Sequence, residues 1–182
     1  MSGAKFKKWK TLQRRIVLDS EFLKVYQDTI KLPNGEIIDD YTLIKKPDIV
    51  MIVATTADDR VIFVEEYEHG AGCKLLNLPA GHIFDKEDPI ETAKRELAEE
   101  TGFGGGKFTK VDKLYEYPSK DIHTVTIVKA EDVVPISEIR HEITEMISIR
   151  FIPRKNLKKI INKGDLKVSS ALASLALAGL LF

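Results

Sequence analysis

The chain reads as an α+β protein: a mixed β-sheet with helices on its faces, preceded by a small N-terminal β-sheet. Three observations point there. Short β-branched segments, separated by turn residues, fill the first half. One strongly signalled helix follows near the middle, after which strands resume. Two helical segments then close the sequence.

The elements follow in order. Ile16-Val17-Leu18 is a short apolar run, and a second segment extends from Phe22 to Leu32. Pro33-Asn34-Gly35 is turn chemistry, because Pro presets φ while Asn and Gly accept positive φ. Glu36 to Ile44 resumes as a strand and makes a hairpin, so residues 1–45 are expected to form an extension ahead of a main domain at 46–182. Ile49 to Thr55 is almost wholly apolar and β-branched, as a buried strand should be. After a polar turn at Ala57 to Arg60, Val61 to Val64 returns as the next strand, and Leu75 to Leu78 is a short one. Asp88 to Thr101 reads as a helix, stopped by Gly102. Gly104-Gly105-Gly106 reads as a flexible link. Leu114 to Tyr117, His123 to Lys129 and Ile147 to Ile152 read as strands. Pro153 opens a helix to about Ile161, Gly164 stops it, and a terminal helix follows.

Composition narrows the function classes. The chain has 182 residues, with 28 Lys and Arg against 28 Asp and Glu. Zero net charge excludes a uniformly basic nucleic-acid coat and a uniformly acidic tail, though a sum hides local patches. Cys73 is the single cysteine, so no internal disulfide or cysteine-based zinc site is available, and a reducing, cytoplasmic setting fits best. The basic N-terminus around Phe6 and Trp9 lacks the apolar core of a secretory signal. The apolar run Val168–Phe182 is shorter than the ~20 residues of a membrane span and carries three serines, so no membrane association is expected.

The chemistry concentrates on the central helix. Asp88 is placed to cap it, Pro89 takes its first position, and Glu91 can reach back. At about 100° per residue, Ile90, Ala93 and Leu97 share the face that should pack on the sheet. Glu96, Glu99 and Glu100 fall on a neighbouring stripe, three and four residues apart. Like charges so spaced destabilise a helix, and the C-terminal half of a helix disfavours anions further. Arg95 is the local counter-charge, able to reach Glu91 or Glu99. A solvated charged face is the plain alternative. Divalent cations would otherwise justify the cluster, and oxygen ligands suit Mg²⁺ or Mn²⁺ rather than zinc.

Gly81, Glu87, Arg95-Glu96-Leu97, Glu99-Glu100, Gly102 and Phe103 stand at the spacing G-x5-E-x7-R-E-U-x-E-E-x-G-U, with U apolar. This resembles the Nudix box at every defined position. The resemblance implies the Nudix fold, a mixed sheet sandwiched between helices, and hydrolysis of a nucleoside diphosphate linked to another group X. Leu78-Pro79-Ala80-Gly81 and Leu32-Pro33-Asn34-Gly35 look like the ADP-ribose and nucleotide-sugar pyrophosphatase subfamily. So do Gly70-Ala71-Gly72, Pro118 and the closing segment from Asn162. The likeness departs at Val64-Glu65-Glu66-Tyr67-Glu68-His69, where that subfamily often carries phosphate-holding arginines. Asn77 stands where an acid is common, and Ser119-Lys120-Asp121 lacks the expected glycine.

The resemblance also implies roles. Glu96 and Glu100 are the first choices for metal ligands, with Glu99 supporting or catalytic and the Ala80 carbonyl a further ligand. Arg95 orients the glutamates with Glu87 as its partner, unless Glu87 is only a surface carboxylate. Gly81 and Gly102 are structural turns. An acid ahead of a late strand can serve as general base: Glu145 first, Glu142 second, with His141 adjacent. Phe22, Tyr26 and Tyr67 are candidates to stack on a nucleobase, with core packing as the alternative. Pro118 and Lys120 are candidates to contact substrate. His69, His82 and His123 lack metal-site spacing and read as loop or strand residues. A homodimer is expected. The leading substrate is ADP-ribose or a nucleotide sugar. The alternatives are dinucleoside polyphosphates, free or oxidised nucleoside triphosphates, or a catalytically silent nucleotide sensor. No basic patch with interleaved aromatics supports RNA as substrate.

Overall fold

The computed structural model describes residues 7–84, 86–139 and 147–181. The chain divides into two compact units, one formed by residues up to Pro47 together with Tyr115–His123, the other by Asp48–Leu114 and Thr124 onward.

The first unit is a three-stranded antiparallel sheet of β1 (Lys10–Asp19), β2 (Lys24–Lys31) and β3 (Ile37–Lys45) in that order. β1 is far longer than the apolar run Ile16–Leu18, because its charged residues pair across to β2. Arg14 Nε and Nη2 donate to the two carboxylate oxygens of buried Asp28, each at 2.7 Å. A backbone strap adds the segment Tyr115–His123. Ile44 N–H donates to the Lys120 carbonyl at 2.8 Å, and Ile122 N–H donates to the Ile44 carbonyl at 2.7 Å.

The second unit holds the mixed sheet, ordered β11 (Ser148–Pro153), β5 (Arg60–Glu68), β4 (Ile49–Thr56), β10 (Val125–Pro135), β8 (Phe103–Gly104). β4 and β10 are parallel. Alternation sorts their side chains to two faces. Val50, Ile52 and Ala54 face α1 (Pro89–Thr101), where they cluster with Ala93, Leu97 and Val128. Met51, Val53 and Phe63 take the other face, covered by α2 (Leu157–Lys163) and α3 (Ser169–Leu177) through Leu157, Ala171 and Leu175. The two faces explain why these strands are apolar throughout rather than alternating.

The sheet opens at the end that matters. β4 and β5 meet at the pair Thr55–Val61 and then part. β6 (Cys73–Asn77) pairs with β5, and β7 (Ala80–His82) pairs with β4. Fully buried Leu78 bridges them, and the Pro79 carbonyl accepts from Ile52 N–H at 2.8 Å. The chain thus crosses from one strand to the next just before Gly81.

Several expectations need correction. Leu114–Tyr117 is not a strand: β9 (Lys107–Leu114) ends there, paired with β10, and its lysines at every third position interrupt any apolar run. Gly104–Gly106 is no loose link. Gly104 pairs with Val134, and Gly105 and Gly106 have φ of +65° and +66°. A side chain at Gly106 would overlap the Glu131 carbonyl. The helix expected from Pro153 begins as a 3₁₀ turn, Arg154–Asn156, before α2. The terminal helix is confined to α3.

Candidate active site

α1 is built as its sequence requires. Asp88 caps it, accepting from Ile90 N–H at 2.8 Å, and Gly102 closes it in the left-handed region at φ +73°. Glu91 does not reach back to the cap. It pairs with Lys94 at 2.7 Å, one turn along the exposed face. Ala93 and Leu97 dock the helix on the sheet, which fixes the acidic stripe at the helix flank.

Arg95 is the centre of that stripe. Its Nη1 lies 2.7 Å from Glu96 and 3.1 Å from Glu99, and its Nε lies 3.3 Å from Glu87. Its Nη2 donates to the His82 carbonyl at 3.4 Å, and the guanidinium sits 5.2 Å above the Phe84 ring. Burial pulls the Arg95 pKa down, but Glu87, Glu96 and Glu99 outweigh it, so the guanidinium is held above its ordinary value. In return the hydrogen bond from Arg95 lowers the Glu87 pKa against the opposing effect of burial. Glu100, one turn beyond Glu96, is 7% exposed. Among the described residues, Arg95 is thus shared by Glu87, Glu96 and Glu99.

β7 brings backbone to the same place. The Gly81 Cα faces the Glu96 carboxyl so closely that a Cβ there would overlap it. The ladder to β4 uses Pro79 as an acceptor for Ile52 and Ile83 as a donor to Asp48. Antiparallel alternation then turns the carbonyls of Ala80 and His82 away from β4. The His82 carbonyl reaches Arg95, so the Ala80 carbonyl lies along the same edge.

These groups fit a hard divalent cation. The donors are all oxygen, the side chains among them are carboxylates, and Gly81 leaves room for a carboxylate that a side chain would displace. Among the described residues no three acidic or histidine side chains converge into a finished metal cage. Arg95 draws Glu96 and Glu99 toward itself.

The sequence profile of the NUDIX domain matches residues 45–172. The chain belongs to the Nudix family. Its α1 with the β7 approach is the Nudix helix and loop. Residues 9–44 match a second profile, the nucleoside diphosphate sugar hydrolase N-terminal domain. The chain is 26% identical to the ADP-ribose pyrophosphatase of Bacillus subtilis over 86% of its own length and 84% of that protein's. It is 40% identical to the ADP compounds hydrolase NudE of Escherichia coli over 48% of this chain and 47% of that one. A crystal structure of an ADP compounds hydrolase superposes with a TM-score of 0.83 at 27% identity, covering 96% of this chain and 94% of the other.

The remaining expected residues of this Nudix chain fall as follows. Glu142, Glu145 and His141 lie outside the described residues. Tyr67, on β5, is 51% exposed and beside the His69 ring, so it is not core. In the first unit Phe22 is 55% exposed, again not core, whereas Tyr26 is half-buried under Arg14 at 4.7 Å. Pro118 is exposed at a turn where Lys120 N–H and Asp121 N–H both donate to the Tyr117 carbonyl. Lys120 Nζ lies 4.0 Å from the Tyr41 ring centre. The search by spacing missed His123, whose side chain is wholly buried between Glu116 and Asp121. A lone histidine gives no such signal in sequence.

Two outcomes follow. Gly81→Ala should lower turnover by about tenfold to a hundredfold, through displacement of Glu96, while circular dichroism and the melting temperature stay near wild type. The second concerns pH. Glu87 has a depressed pKa when folded, so its stabilising contribution is complete above the ordinary glutamate value of about 4.3 and is lost as pH falls through the lower folded value. Urea unfolding from pH 7 downward should show a shallower acid-side loss of stability in Glu87→Gln; an identical acid limb would contradict the pairing.

Proposed function

We propose that this Nudix protein hydrolyses the diphosphate bond of ADP-ribose or a related ADP-sugar, giving AMP and a phosphorylated sugar. The observation that carries the reading is the meeting of Glu96, Glu99, Arg95 and Gly81 on one flank of α1. The ADP-ribose and ADP-compound hydrolases to which the chain is similar support the substrate class. Mg²⁺ is the expected cation, with Mn²⁺ as its substitute, held by Glu96, Glu99, Glu100 and the Ala80 carbonyl. When bound, the cation neutralises the diphosphate and acidifies the attacking water.

The chain's own groups do the rest. Arg95 pairs with both Glu96 and Glu99 and so keeps their carboxylates together on one flank of α1. Glu87 anchors Arg95 from the side away from the stripe. Glu145 accepts the proton of the attacking water in this reading, with Glu142 the alternative. Lys120 and Pro118 contact the substrate, and Phe22, Tyr26 or Tyr67 stacks on the base. The main domain is residues 46–182, and residues 1–45 serve dimerisation. Every residue of β1 is exposed, and Leu12, Ile16, Val17 and Leu18 present apolar surface at the edge of its sheet. A second copy of the chain would cover it. A reducing, cytoplasmic setting goes with this reading. Among the described residues no helix is long and apolar enough to cross a membrane.

With Mg²⁺, ADP-ribose should yield AMP and ribose 5-phosphate, identified by chromatography. Glu99→Gln and Glu100→Gln should each abolish turnover without unfolding the chain. Activity confined to nucleoside triphosphates or dinucleoside polyphosphates would overturn the substrate, and full activity of both variants would overturn the metal ligands. Light scattering after size exclusion should give the mass of two chains; the mass of one would contradict the dimer.

A further inference from the structure

The first unit contains a buried titratable group that the reaction does not use. The His123 side chain has no solvent exposure. Its Nε2 lies 2.9 Å from a Glu116 carboxylate oxygen, a hydrogen bond. Its Nδ1 lies 3.7 Å from Asp121 Oδ2, within ion-pair range but too far for a hydrogen bond, and has no hydrogen-bond partner. Asp121 also pairs with Lys46 at 2.7 Å. Among the described residues these are the charged groups recorded against His123 or its two carboxylates.

A neutral imidazole carries one N–H and can serve one carboxylate. Whichever nitrogen bears that proton, the other presents a lone pair to an anion in a site without water access. A second proton turns that repulsion into ion-pair attraction toward both carboxylates, with the hydrogen bond made to Glu116. Glu116 and Asp121 bracket the turn Tyr117–Lys120, which carries Pro118 and Lys120. Asp121 also forms a β-bridge with Ile44 of β3.

We propose that His123 is a positioning residue: its imidazolium fastens the Glu116–Asp121 turn, and loss of one proton loosens it. The turn is fastened when the ring carries both protons and looser when it carries one. The consequence for substrate binding rests on Lys120 contacting the diphosphate. The fastening itself does not.

The protein contains its own reporter. Trp9 is the one tryptophan in the chain. Its ring packs edge-on against Tyr41 at 5.8 Å, and the Tyr41 hydroxyl donates to the Ser119 carbonyl within the turn at 2.6 Å. Trp9 fluorescence should therefore show one proton-linked transition on pH titration, and His123→Gln should lose it while His69→Gln keeps it. In the wild-type protein, the NMR titration of the His123 ring should share the midpoint of the fluorescence change, a comparison that needs no variant to fold. A flat Trp9 signal while His123 titrates, or a transition that survives in His123→Gln, would overturn the proposal. If the fluorescence arm succeeds, KM for ADP-ribose should rise with pH through the same midpoint while kcat changes less. A flat KM beside a moving Trp9 would instead remove Lys120 from the substrate and leave the fastening intact.

Discussion

The structure turns on one guanidinium shared among several carboxylates. Arg95 is shared among Glu87, Glu96 and Glu99, and buried Glu100 lies one turn farther on. A helix does not gain stability from such a stripe in its C-terminal half. Burial of a carboxylate such as Glu100 adds a desolvation cost. The arrangement holds because strong elements bracket it: the Asp88 cap, the Gly102 stop, and the apolar face of Ala93 and Leu97 on the sheet. The fold thus holds a cluster of carboxylate oxygens in place, and such hard oxygen donors match the ligand preference of a divalent cation.

The parting of β4 from β5 supplies the other half of the site. Had the two strands stayed paired along their length, β7 would have no edge of β4 to occupy. The crossing at Leu78 and Pro79 sends the chain from β5's neighbour to β4's. Gly81 then sits against Glu96, and the outward carbonyls of β7 face the stripe. The missing side chain at Gly81 is a requirement of close approach, not of backbone twist. At Gly102 both apply: a positive φ at the helix end and the close approach of the Ser137 carbonyl.

Much of this was legible in the sequence, because the box residues combine capping, spacing and charge within one short segment. The helix, its packing face, its acidic stripe and the Arg95–Glu87 partnership could all be read there. What stayed hidden depends on pairing across long stretches of chain. β1 and β9 are rich in charged residues and declare themselves only through their partners. The segment Tyr115–His123 joins the N-terminal strands through backbone bonds to Ile44, which no local pattern records. The three carboxylates also needed no third partner to be noticed, whereas His123 became visible only when Glu116 and Asp121 were seen on either side of it.

The central claim is that the α1 stripe binds a divalent cation. Electron paramagnetic resonance of free Mn²⁺, titrated against the purified protein, tests it most directly. The wild-type chain should remove Mn²⁺ from solution in stoichiometric steps, and a Glu96→Gln, Glu100→Gln double variant with an unchanged circular dichroism spectrum should not. Undiminished Mn²⁺ binding by the folded double variant would contradict the account.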